Sequence, residues 1–268
     1  MSTALAPARV WKRPPLIGNP WLRWGLYLAG LVYLAAALAT VDVNWTRVSE
    51  GLAQGVRFLE GFLVPDFTTR SRDIWRGMEE SLTMTVTSTI VGCLISIPIG
   101  LGAARNIAPL PVYAVCRAII AGSRAFQEVI IAILFVAMFG FGPFAGFLTL
   151  SFATIGFMAK LLAEDVEDIN EAQAEAIRAT GASWWQLINY GIQPQVMPRL
   201  IGLSLYRLDI NFRESAVIGI VGAGGVGATL NTAMQRYDYD TAAAILIMII
   251  LIVLAAEYLS SHLRKWVQ

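Results

Sequence analysis

Apolar residues run through the chain in long unbroken stretches, and the places where those stretches fail define its organisation. Residues 24–39, 82–104, 147–163, 199–221 and 241–259 are each close to the about twenty residues that a helix needs to cross a bilayer. The run over 109–140 is too long for one straight crossing and carries Gly122, Ser123, Arg124 and Glu128 in its middle. It predicts a broken or tilted element, because such groups are tolerated at membrane depth only against protein or a water-filled path. Pro98 is expected to interrupt the second run, and Gly140-Phe141-Gly142-Pro143 to turn the chain between the third crossing and the fourth. Six crossings follow, so both ends lie on one side of the membrane. The pattern is that of an all-α polytopic membrane protein.

Between residues 40 and 80 the runs give way to an amphipathic period. Val48, Leu52, Val56 and Leu59 recur at steps of three or four, among arginines and acids, which predicts a helix lying at the outer interface. Residues 1–80 are read as an irregular basic leader, a first membrane helix and this outer segment. Residues 81–268 are the core, with a polar loop near 165–198. Arg9, Lys12 and Arg13 before the first crossing, and Arg264 and Lys265 after the last, put both termini on the cytoplasmic side. The long leader favours a retained first helix over a cleaved one, despite the small residues Ala37-Leu38-Ala39.

The stretch from Asn170 to Pro198 is the most tightly punctuated of all. Asn170 is followed three residues later by Gln173, and Ser183 by Gln186, so each pair can close a capping box. Two short helices are predicted, one over 171–180 stopped by Gly181 and one over 184–190 stopped by Gly191 and Pro194. Helices of two turns are marginal alone, so they need something to lie against. Trp184, Trp185, Leu187 and Ile188 either fold back on the chain's own helices or present a surface to a partner, and spacing does not choose between the two.

Composition narrows the function. The chain has 268 residues, 56% of them hydrophobic, and a mean hydropathy of +0.60, far from a soluble domain. A net charge of +1 gives no reason to expect nucleic acid. Cys93 and Cys116 sit in apolar runs and read as small core residues, and a single histidine, His262, rules out a His-based metal site or triad within one chain. None of the three lysines follows a phosphate-cradling glycine loop, so ATP would have to act through another chain. Gly222-Ala223-Gly224-Gly225-Val226-Gly227 satisfies GxGxxG in form only, because a membrane span and no βαβ unit precedes it; it reads as a flexible, side-chain-poor stretch where backbones can approach closely. The next-to-last crossing holds Arg207, Asp209, Arg213 and Glu214, which mark either a pathway or internal pairing; Asp209 and Arg213 stand four apart and can pair.

The loop also carries a resemblance. Glu175-Ala176, Gly181 and Pro194 thirteen positions later resemble the cytoplasmic loop of ABC importer permeases, with departures at Ile177, Gly191 and Gln193. From Arg117 to Gly227, segments such as Phe139-Gly140-Phe141-Gly142-Pro143, Leu205-Tyr206-Arg207 and Asn211-Phe212-Arg213 resemble the branch of that family serving phosphonate, phosphite and hypophosphite; Gln127 and Glu214 depart from its pattern. The resemblance implies a MetI-like permease fold in a bacterial inner membrane. It also implies a homodimer of permeases, two ATPase subunits that hold ATP and Mg, and a periplasmic substrate-binding protein, with no cofactor on this chain. Carried onto these residues, Glu175, Ala176, Gly181, Trp184, Trp185 and Pro194 couple to the ATPase. Arg124, Glu128, Arg207, Asn211 and Arg213 line the path, the arginines drawing in a phosphorus oxyanion through paired donors. Gly222, Gly224, Gly225 and Gly227 form a gate.

Two other classes compete. A secondary transporter driven by an ion gradient would explain the membrane charges but not the capped loop, and no inverted repeat is visible. A membrane enzyme lacks a convincing nucleophile and base.

Overall fold

The computed structural model describes residues 17–41 and 44–267, and the basic leader lies outside them, as do the side chains of Arg264 and Lys265. The chain falls into two compact units, residues 1–56 and 57–268. The first holds α1 (Pro20–Ala39), whose Asn19 side chain accepts the Trp21 N–H at 3.0 Å, and most of α2 (Trp45–Gly61). On α2, Val48, Leu52, Val56 and Leu59 are exposed at the predicted period.

In the second unit α3 (Ser71–Gly102) begins eleven residues before the expected crossing. Its first charged turns, part of the stretch expected as a separate amphipathic helix at the interface, run on into the membrane helix, with Arg76 and Glu80 paired at i,i+4 (3.1 Å) and Gly77 close against Val226 and Thr229. Pro98 does not interrupt this helix. Then follow α4 (Leu110–Ala125) and α5 (Glu128–Phe139), bent by 92° at their junction, which is the predicted break. Gly140 and Gly142, both at positive φ, turn the chain into α6 (Pro143–Glu167). α7 (Glu171–Ala179), the single turn α8 (Trp184–Gln186) and a π-helical turn over Leu187–Ile192 lead into α9 (Gln193–Ile220). α10 (Gly225–Gln235) and α11 (Tyr239–Val267) complete the chain. Among the described residues, five helical stretches are long and apolar enough to cross a membrane, and six if the bent pair is one crossing.

The centre of this unit is the seam between α3 and α6. The buried face of α3 is mostly small and polar, with Gly77, Ser81, Thr85, Ser88, Thr89, Gly92, Ser96 and Gly100, and carries Ile74, Met78 and Met84 toward its N-terminal end. Its outer face is apolar, with Leu82, Val86, Ile90, Leu94 and Ile97 exposed. Small residues let membrane helices approach closely, which is where packing energy arises when lipid is as apolar as leucine. A methyl on Gly92 would lie 2.5 Å from Thr154 Cβ, and one on Gly100 2.9 Å from Leu162 Cδ2. Three hydroxyls bond back within their own helix, Ser88 to Thr85 O (3.1 Å), Thr89 to Thr85 O (2.6 Å) and Ser96 to Cys93 O (2.7 Å), and enter an apolar interior satisfied, while Thr85 Oγ1 is buried without a hydrogen-bond partner among the described residues.

Candidate functional site

Three places bear the residues that the sequence singles out. The first is the loop. Asn170 begins α7 as an N-cap, its Oδ1 accepting the Ala172 N–H at 3.1 Å. The reciprocal partner differs from expectation: the Asn170 N–H donates to Gln195 Oε1 at 2.9 Å, across 25 residues, and not to Gln173. At the second pair the return bond is present, Ser183 N–H to Gln186 Oε1 at 2.7 Å. Gly181 ends the first short helix at φ +79°, as predicted.

Gly191 and Pro194 do not end the second short helix. The backbone widens, the Gln193 N–H reaching back five residues to Ile188 O, and continues into α9. Pro194 fits there because it occupies the first turn of α9, where a missing N–H costs little.

The four apolar side chains of the loop divide between their two expected fates. Leu187 and Ile188 fold back into a core with Ala104, Leu162, Val166, Ala174, Ile192 and Val196. Trp184 is half committed, its indole N–H donating to Ile107 O at 3.3 Å. Trp185 stacks edge-to-face on Trp184 with ring centroids 4.7 Å apart and is 69% exposed. Glu175, Ala176 and Gly181 are also exposed.

The second place is the interior. Arg207 and Asn211 stand one turn apart on α9 and face inward, and Asn211 is fully buried. Arg207 Nη2 pairs with Glu128 Oε1 at 2.9 Å, its Nε donates to Thr154 Oγ1 at 3.2 Å, and its guanidinium lies 5.3 Å from the Phe157 ring centroid. Asn211 Nδ2 donates to Thr89 Oγ1 (2.8 Å) and Thr154 Oγ1 (2.9 Å). Thr154 donates its own proton to Leu150 O at 2.6 Å, so its one hydrogen and both lone pairs are in use. Four helices, α3, α5, α6 and α9, meet at this network.

Arg207, expected to offer paired donors to an anion, is 4% exposed, with Nη2 held by Glu128 and Nε by Thr154. Arg213 pairs with Asp209 at 2.7 Å, as its spacing suggests, and its side chain is 52% exposed. Arg124 is exposed and makes no ion pair among the described residues.

The third place is the glycine segment, which is a turn and a helix start, not a loose strand. Gly222, Gly224 and Gly225 all have positive φ, and Gly142 N–H donates to Gly222 O at 3.0 Å. The N-terminus of α10 has no cap of its own; α3 supplies one, Glu80 Oε2 accepting from Gly225 N–H (3.2 Å) and Ser81 Oγ from Val226 N–H (2.9 Å). Gly227 abuts Ala216 O and Gly219, so the closeness predicted for these backbones is present.

Sequence reasoning missed Thr89, Thr154 and Gln195, as well as Glu167. Glu167 Oε1 takes both the Arg105 N–H and Arg117 Nη2, each at 2.8 Å, tying the turn after α3 and the helix α4 to the end of α6. The only signal for the threonines is a hydroxyl inside an apolar run. Among the described residues no group of His, Cys, Asp or Glu could hold a metal ion.

Membrane helices that close around an arginine, a carboxylate and an amide, with a short capped helix beside them, have the build of a multi-pass transport permease. The chain belongs to the binding-protein-dependent transport system inner membrane components, whose family pattern matches residues 96–268. It is therefore a multi-pass inner-membrane protein. It is 38% identical over 244 residues to the phosphate-import permease protein PhnE of Mycolicibacterium smegmatis, covering 91% of this chain and 46% of that protein, about half its length. It is 34% identical over 250 residues to the phosphite transport system permease protein PtxC of Stutzerimonas stutzeri, covering 93% of this chain and 88% of that one. Its fold is shared with a chain of the MetNI methionine ABC transporter solved in inward-facing conformations, with TM-score 0.63, 23% identity, and coverage of 75% of this chain and all of that one.

Proposed function

We propose that this chain is the membrane permease of an ATP-driven importer for phosphonate or a related phosphorus oxyanion such as phosphite. The observation that carries the reading is the similarity to phosphate- and phosphite-system permeases over nine-tenths of the chain. In this reading a second copy of the chain supplies the other wall of the path, since one set of helices has none. Two ATPase subunits, which hold ATP and Mg and supply the free energy of hydrolysis, dock on the cytoplasmic side. A periplasmic binding protein delivers the anion. Both termini face the cytoplasm.

Within the chain, α7 and the turn after it are the docking element. Glu175, Ala176 and Gly181 present exposed polar and backbone surface, Trp184 and Trp185 an aromatic anchor, and Pro194 opens the helix that leads inward. Arg124 and Arg213 are the guanidiniums open to an oxyanion. Arg207, Glu128 and Asn211 hold the wall of the path together. Gly222, Gly224, Gly225 and Gly227 set a gate: the first three hold a turn geometry that only glycine adopts without strain, and Gly227 lets the backbone approach Ala216 O. Tight anion binding would slow release, so the encounter with the arginines is weak.

The test is uptake of 32P-phosphite by cells carrying the permease with its ATPase and binding protein. Uptake that stops when ATP is depleted at a clamped ion gradient supports the reading. Uptake that follows the gradient and ignores ATP makes the chain a secondary transporter.

A further inference from the structure

The attachment of α7 to the rest of the protein is narrow. α7 has nine residues, too few to be stable alone, and Ala174 is its one buried residue. Ala174 lies against Gly191, where an added methyl would come 3.6 Å from Ala174 Cα, and the half-buried Ile177 packs on the same core. Beside this small apolar contact stands one polar one. Gln195, half-buried in the first turn of α9, accepts the Asn170 N–H at 2.9 Å through Oε1 and donates through Nε2 to Gly191 O at 2.7 Å. One end of its amide therefore holds the N-terminus of α7, and the other holds a carbonyl of the widened π turn. The π turn is the place where α9 would otherwise bend freely, since its ladder is shifted to a five-residue reach and Pro194 gives it no donor.

We propose that Gln195 is a positioning residue that fixes α7 against α9, so that displacement of α7 by a docked subunit moves the membrane helix and is not absorbed in the π turn. A planar amide suits this role, because both hydrogen bonds leave one rigid group in opposite senses. Alanine removes both bonds. Glutamate keeps the length, shape and acceptor but cannot donate to Gly191 O. The inference rests on the reading of α7 as the docking element, and the experiment separates the two.

Assembled transporter with its ATPase and binding protein is reconstituted in liposomes, and 32P-phosphite uptake and ATP hydrolysis are measured together for wild type, Gln195→Ala and Gln195→Glu. A photo-crosslinker at Gln173, exposed on α7, reports docking in each. The expected result is unchanged crosslinking and thermal stability, with uptake per ATP hydrolysed lowered roughly five- to ten-fold in both variants, the scale of a lost hydrogen bond or two. A merely structural residue would lower assembly or thermal stability and leave that ratio intact, which would overturn the proposal. So would a ratio equal to wild type in both variants. Failure of the wild-type crosslinker to capture the ATPase would instead remove the docking reading on which the proposal stands.

Discussion

Arg207 Nη2 lies 2.9 Å from Glu128 Oε1, joining the first turn of α5 to the middle of α9 across the break that follows α4. The arginine side chain is 4% exposed and the glutamate 21%, so each charge depends on the other for its place in the interior. Glu128 Oε2 meets no cationic partner among the described residues, which makes the pair the carboxylate's principal compensation.

Breaking this pair from one side strands the other charge. Arg207→Ala is expected to destabilise the permease by about 3–5 kcal/mol, whereas the double variant Arg207→Met with Glu128→Gln recovers most of that loss. Thermal unfolding of the purified protein in detergent measures both. A double variant as damaged as the single one would show that the pair is not the reason for the burial.

Trp185 is the opposite case, an aromatic side chain that the fold does not use. Trp185→Ala is expected to change thermal stability by no more than about 0.5 kcal/mol. Affinity for the ATPase is expected to fall by about 2 kcal/mol, the range of an interface anchor. Titration of the ATPase onto the solubilised permease reads the second quantity, and undiminished binding would place the dock elsewhere.

Gly227 leaves no room for a side chain, because an added methyl meets Ala216 O and Gly219. Gly227→Ala is expected to cost about 3 kcal/mol through overpacking. Gly224, at φ +78° and ψ −168°, a region essentially reserved for glycine, is expected to cost about 1–3 kcal/mol in strain when replaced by alanine, and the added methyl would also meet Pro143 N at 2.6 Å. Folded yield and thermal midpoint should fall in both variants.

Arg213 tests the path. Its side chain is half exposed, but its partner Asp209 is only 13% exposed with Oδ1 lacking a hydrogen-bond partner, so the single variant is compared with one that also carries Asp209→Asn. Arg213→Ala is expected to lower phosphite uptake roughly ten-fold at normal expression, the scale of one charge-assisted hydrogen bond. Normal uptake would take this residue off the path.

Asp66 supplies a pH dependence outside the membrane. Thr69 and Thr68 hydrogen-bond its carboxylate and hold it well below the usual carboxylate range, the Thr68 N–H at 2.8 Å, Thr68 Oγ1 at 2.7 Å and the Thr69 N–H at 3.1 Å all meeting Oδ1. A lowered folded value means that the contribution is complete above about pH 4, the ordinary carboxylate value, and is lost as pH falls toward the lowered one. Amide exchange at Thr68 and Thr69 should therefore speed up in acid, beyond its intrinsic pH dependence, in wild type. In Asp66→Asn, which keeps an acceptor without a charge, the excess should vanish.

Much of the architecture was legible because it is written in local period and punctuation. The crossings, the break between Ala125 and Glu128, and the stop at Gly181 follow from run length, from Gly and Ser at membrane depth, and from a positive φ. The start of α3 was not legible, since Arg76 and Glu80 read as part of a separate amphipathic helix at the interface until the i,i+4 pair and the packing of Gly77 are seen. Pro194 misled in the same way: a proline ends a helix or opens one, and only its place in the first turn of α9 decides. The interior network was the least legible. Asn211 and Thr89 are 122 residues apart, and no local pattern marks a threonine whose partner lies on another helix.

The seam between α3 and α6 has a thermodynamic consequence. The inward face of α3 is largely glycine and hydroxyl, with Met84 and the Leu162 of α6 as apolar contacts, and its outward face is aliphatic, so parting the two helices within a bilayer would expose this surface to acyl chains and bring little hydrocarbon into contact with water. The large heat-capacity increase of soluble-protein unfolding comes from that last exposure. Lateral opening of this seam should therefore be nearly athermal in heat capacity, and chilling, which loosens a core held by water's aversion to oil, should leave this one shut.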